Sequence, residues 1–80
     1  MKADRLKARL LKGQFANWSF SDAMLLAKHC GWTLARSNGS HQILRHSSTE
    51  VSSLNFQGAQ GQAKAYQMKQ MKEEIELHHL

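Results

Sequence analysis

Asn38-Gly39-Ser40-His41 lies between two short apolar runs and sets one titratable side chain directly after a tight turn. Asn-Gly flanked by strand-like residues is a strong hairpin signal, because such a turn needs positive φ at its centre. The hairpin holds the residue after its turn on a hydrogen-bonded ladder, and that residue is His41. An imidazole can gain or lose a proton in the range of roughly pH 5 to 8. Arg36 and Arg45 lie close by in sequence, and Lys64 is a further candidate cation. Backbone N–H groups at Gly39 and Ser40 can form an anion-binding concavity, as successive amides in turns do. A proton-transferring group among fixed cations suits chemistry on a phosphodiester.

The other reactive side chains point elsewhere. His29 falls in the last turn of a predicted helix, where the helix dipole favours positive charge, so it reads as a cap. His46 differs in parity from His41, so in an unbroken strand the two face opposite ways and share no metal. His78 and His79 sit at an end expected to fray. Zinc takes about four nitrogen or sulfur ligands, and Cys30 has no second cysteine beside it. Cys30 lies on the apolar stripe of a helix, where a thiol packs as a small hydrophobe. Gly58 and Gly61 precede a helix but lack the lysine of a phosphate-binding loop. No metal or cofactor is expected. Trp18, Phe20, Trp32 and Phe56 are expected in the core, as is the Met68/Met71 pair.

Eighty residues make one domain, which buries only ~60% of its unfolded surface and leaves little room for a deep pocket. The net charge is +5, unevenly spread: eight Lys and Arg up to Thr49 face only Asp4 and Asp22. Glu73, Glu74 and Glu76 cluster near the end. Excess positive charge on a small domain is the electrostatic footprint of a nucleic-acid partner. A single cysteine allows no internal disulfide and suits a reducing cytoplasm. No apolar run approaches the ~18 residues of a membrane span, and the basic N-terminus lacks the apolar stretch of a secretion signal.

The elements that must position His41 follow from periodicity, in the order α-α-β-β-β-α. Residues 1–17 form a basic helical extension, with Ala3, Leu6 and Leu10 on one side from Ala3 to about Lys12 and Gly13 as a stop. Residues 19–77 form the core domain. Its first helix has Ser21 as the expected N-cap, Asp22 in the first turn, and Phe20 with Leu25 as a hydrophobic staple. Ala23, Leu26, Ala27 and Cys30 form its inward stripe and Gly31 its stop. Strands are expected at 32–37, 41–46 and 51–56. A loop spans 57–62, and a last helix over 63–77 has Ala65, Met68, Met71 and Ile75 inward. The class is α+β, a three-stranded antiparallel sheet with helices on one face.

Two hairpin registers compete. A two-residue turn at Asn38-Gly39 pairs Arg36 with His41. A three-residue loop pairs Ser37 with His41 and Leu34 with Leu44, and is preferred for the apolar match. A one-residue slip reverses every side chain.

Gly31-Trp32, Leu34, Arg36, then Gly39-Ser40-His41 followed by Arg45-His46 resembles the HicA family of toxins. Lys64-Ala65-Tyr66-Gln67-Met68-Lys69-Gln70 is similar to the last helix of one branch of that family, and the likeness covers roughly Ser19 to Ile75. The resemblance implies a fold like that of double-stranded-RNA-binding domains (dsRBD-like) and ribosome-independent cleavage of mRNA. It implies that His41 is catalytic and that a cognate HicB-like antitoxin covers it in a hetero-oligomer. The chain departs from the pattern in its first 17 or so residues, and in Ser47 where many members have proline. These departures bear on substrate preference and antitoxin docking.

The chemistry agrees on its own terms. RNA carries its nucleophile as the 2′-hydroxyl, so the protein need only move protons and stabilise a phosphorane. One histidine contributes ~10²–10⁴-fold as acid or base, and Arg36, Arg45 or Lys64 supplies the facing cation. The product is a 2′,3′-cyclic phosphate. The competing readings are an RNA-binding module that does not cut, and an interaction protein whose face serves the antitoxin.

Overall fold

The computed structural model describes residues 1–39, 41–57 and 61–80. Its elements are α1 (Lys2–Leu11), α2 (Phe20–His29), β1 (Trp32–Asn38), β2 (His41–His46), β3 (Leu54–Gln57) and α3 (Ala65–His78). The strands form one antiparallel sheet in the order β1-β2-β3. α2 packs against β1, α3 against β3, and α1 against both helices. The predicted α+β class and element order are both present. The expectations placed on Ser40 and Gly58 lie outside the described residues.

Helical periodicity puts the apolar residues inward. Ala3, Leu6 and Leu10 of α1 are buried, and α1 shares one core with Leu26, Trp32, Leu44, Leu54, Phe56, Met68 and Ile75. Trp18 is fully buried beside α1, its Nε1–H donating to the Gln14 carbonyl at 2.7 Å. The Arg9 guanidinium stacks 4.6 Å from the Trp18 ring centre and donates to the carbonyls of Ala16 and Asn17. One basic side chain of α1 is thereby committed to structure. No helix among the described residues is long and apolar enough to cross a membrane.

Helix boundaries differ from expectation where tertiary contacts set them. Ser19, not Ser21, caps α2: its Oγ accepts from the Asp22 N–H at 3.1 Å. A bridge between Ser19 and Gln62, with Phe20 N–H donating to the Gly61 carbonyl at 2.8 Å, fixes the chain entry two residues early. Phe20 therefore packs edge-on against Phe56, and Leu25 is 41% exposed, so no staple forms. In α3, Ala65 is exposed and Gln67 is buried in its place. A glutamine fits there because its Oε1 accepts from the Lys64 N–H at the helix start, 3.2 Å away. The last residues, expected to fray, lie against the fold: Leu80 packs on the core and its carbonyl accepts from Lys7 Nζ.

β3 is shorter than expected because the preceding backbone is bonded sideways. Ser52 N–H donates to Glu74 Oε1 at 2.7 Å, and the Ser52 carbonyl accepts from Trp32 Nε1 at 3.0 Å. Sheet pairing then begins at Leu54, although Val51 is buried just ahead of it.

Candidate functional site

The hairpin combines features of the preferred register with a third pairing at its tip. Leu34 faces Leu44 as preferred, but Asn38, rather than Ser37 or Arg36, faces His41. A bulge between Leu34 and Arg36 absorbs the one-residue difference. A regular ladder with Leu34 against Leu44 would set Arg36 against Gln42, on the face covered by helices. With the bulge, Arg36 faces Ile43 and points the other way. Bulges often re-aim a side chain beside a functional site, and this one brings Arg36 to the face of His41. The expected burial of the apolar pair is half met: Leu44 is fully buried, while Leu34 on the edge strand is 44% exposed.

Directly opposed residues share a sheet face, so the pairings define the face that carries no helix. Its first row is Asn38–His41–Gln57 and its second is Arg36–Ile43–Asn55. Thr33 and Arg45 continue it. Neighbouring rows on one face are roughly 7 Å apart along the strands. Arg36 therefore stands diagonally from His41, with Cβ atoms up to roughly 7–8 Å apart. Ala35, Arg36, Ile43 and Arg45 line a depression of about 250 Å³ in this face.

Electrostatics separate the two sides of the molecule. Lys2 pairs with Asp22 at 3.0 Å and Lys72 with Glu76 at 2.9 Å, both on the helical side. The Lys2 ammonium, hydrogen-bonded to Asp22, holds that carboxyl below its ordinary value, with Ser19 adding to the effect. On the open face His41, Arg36 and Arg45 are all exposed. Among the described residues no carboxylate lies within ion-pairing distance of them, and none belongs to the rows above. The Arg36 and Arg45 guanidinium groups thus face solvent. Gly39 at φ +62° makes the turn before His41.

Lys64 reaches the same face from the start of α3. Its Nζ donates to Gln57 Oε1 at 3.2 Å, and Gln57 is the β3 partner of His41. Sequence reasoning found Lys64 but missed Gln57, Asn38 and Asn55. These carboxamides carry no charge signal, and only the register shows that two of them flank His41.

The remaining reactive groups have structural tasks. His46 Nε2 donates to the Cys30 carbonyl at 2.8 Å, while its Nδ1 accepts from the Ser48 N–H at 3.0 Å. Both nitrogens are occupied, which fixes the neutral Nε2–H tautomer. The ring stands edge-on to Trp32, 5.0 Å between centres. His29 sits in the last turn of α2 as expected, and its Nε2 also lies 3.5 Å from Asp4 of α1. His78 lies 3.7 Å from Glu74. Burial pushes the Cys30 thiol up, against the pull of Lys7, in keeping with a buried thiol packed as a small hydrophobe. Among the described residues no three His, Cys, Asp or Glu side chains gather as metal ligands.

Comparison of the chain with family models, with curated proteins and with solved structures finds no match.

Proposed function

We propose that the chain is a HicA-like endoribonuclease: a cytoplasmic toxin that cuts single-stranded mRNA through His41 and is held by a HicB-like antitoxin. The observation that carries this reading is the exposed His41 on a bare sheet face with Arg36 and Arg45, away from every described carboxylate. The Gly-Ser-His run and the element order agree with the family resemblance.

The arginines draw in the phosphate backbone and set one phosphate beside the imidazole. His41 then takes the proton of the 2′-hydroxyl or gives one to the departing 5′-oxygen. The 2′-oxygen forms the new bond to phosphorus as the bond to the 5′-oxygen breaks. Positive side chains stabilise the phosphorane, whose charge exceeds that of the ground state. With no second histidine or carboxylate in the described rows around His41, the other proton passes through water, and the enzyme is slow. A toxin needs only a few cuts per message.

A second reading has an observation of its own. Among the described residues the rows around His41 hold no second histidine and no carboxylate, which equally fits a module that grips RNA without cutting it.

An oligoribonucleotide and its copy with a single 2′-deoxy nucleotide separate the two readings. Incubated in EDTA, the all-ribose strand is cut to 2′,3′-cyclic phosphate ends, and the scissile position is protected by the 2′-deoxy substitution. Binding without cleavage of either strand assigns the face to a binding module.

A further inference from the structure

Of the three cations around His41, one is held in place. Lys64 precedes α3, and its backbone N–H is fixed by Oε1 of Gln67, a side chain only 1% exposed. Its Nζ then donates to Gln57 Oε1 at 3.2 Å. Gln57 stands directly across the β2–β3 ladder from His41, a geometry that sets Cβ atoms about 5 Å apart. A chain of contacts thus runs from the buried Gln67 through Lys64 to the row of the histidine. Arg36 stands a row away from His41 and Arg45 a further row, on long exposed side chains.

We infer that Lys64 is the cation facing the phosphorane and that Gln57 is a positioning residue, holding its ammonium beside the phosphate that His41 serves. This rests on the ribonuclease reading above. A lysine is a compact charge on a flexible stem, so its worth at a transition state depends on what orients it. Pre-set donors aimed at developing charge contribute far more than donors that must first be ordered. The Gln57 oxygen is occupied by Lys64, which leaves its NH₂ group to face the substrate. Arg36 and Arg45 then act on affinity, and Lys64 with Gln57 on the chemical step.

A double-mutant cycle on single-turnover cleavage tests this, with RNA affinity measured on the same samples. Lys64→Met lowers the cleavage rate about 100-fold, in the range of lost oxyanion donors. Gln57→Met, close in volume but only a weak hydrogen-bond acceptor, lowers it about 10-fold. In both, RNA affinity stays within about threefold. The double variant is no slower than Lys64→Met alone, because Gln57 acts only through the lysine. Gln57→Thr, a strand former too short to reach Lys64, reproduces the loss if Gln57→Met loosens β3. Multiplying effects, or a Gln57 variant as fast as wild type, overturn the inference and leave the ribonuclease reading standing. A wild-type chain that cuts no RNA overturns both.

Discussion

β2 carries a histidine at each end, and the two have opposite surroundings. His46 is gripped: both ring nitrogens are hydrogen-bonded, Trp32 stands against its edge, and Gly31 passes beneath it. His41 is exposed on the other face, between two carboxamides and near two arginines that pair with no carboxylate among the described residues. One residue type on one strand thus serves two ends. A ring whose donor and acceptor are both used holds the chain together and has no proton to spare. A ring with no hydrogen bond to the described residues adds little to stability and leaves its nitrogens open to a ligand.

The comparison can be broken first at Gly31. A Cβ there would lie 2.4 Å from His46 Nε2, and the φ of +106° is one that side chains rarely adopt. Gly31→Ala combines backbone strain with the displaced imidazole and lowers unfolding free energy by about 3 kcal/mol in urea titration. His46→Ala leaves the Cys30 carbonyl and the Ser48 N–H without partners and costs about 1–3 kcal/mol. Below the melting transition, its rate per folded molecule stays near wild type. His41→Ala has the inverse signature, with stability within about 0.5 kcal/mol of wild type.

Smaller effects sharpen the contrast between the two sides. Arg36→Ala and Arg45→Ala each weaken RNA binding and reduce the slope of log affinity against log salt by about 0.7, the value for one phosphate contact on a single strand. The same change at Lys2, paired with Asp22 on the helical side, leaves that slope unaltered. The smallest effect is in acid. The folded-state pKa of Asp22 is depressed, so its contribution is present above the unfolded value of 3.8 and is lost as pH falls through the folded one. Wild type therefore loses more stability than Asp22→Asn between pH 5 and pH 3, read as the shift in urea midpoint.

Much of this was legible in the chain, and the misses share a cause. Ala3, Leu6 and Leu10 declared their face by spacing alone, as did Met68, Met71 and Ile75. Parity alone separates His41 from His46, and the ladder sets them on opposite faces. The N-cap was misplaced because a distant residue, Gln62, pairs with Ser19 and outweighs the local preference for Ser21. The register could not be read because the bulge at Ala35 lets the hairpin satisfy the apolar match at its base and a different pairing at its tip. Gln57 and Gln67 escaped notice because an uncharged amide gains its role only from the neighbour it meets, and those neighbours lie across the fold.

The central claim is that His41 performs chemistry and does not merely grip. Single-turnover cleavage and equilibrium binding of one RNA, in EDTA, by wild type and His41→Ala test it most directly. The account predicts a rate lower by ~10²–10⁴-fold in the variant, with affinity within about twofold. Equal cleavage by both proteins, or binding by both with cleavage by neither, contradicts it.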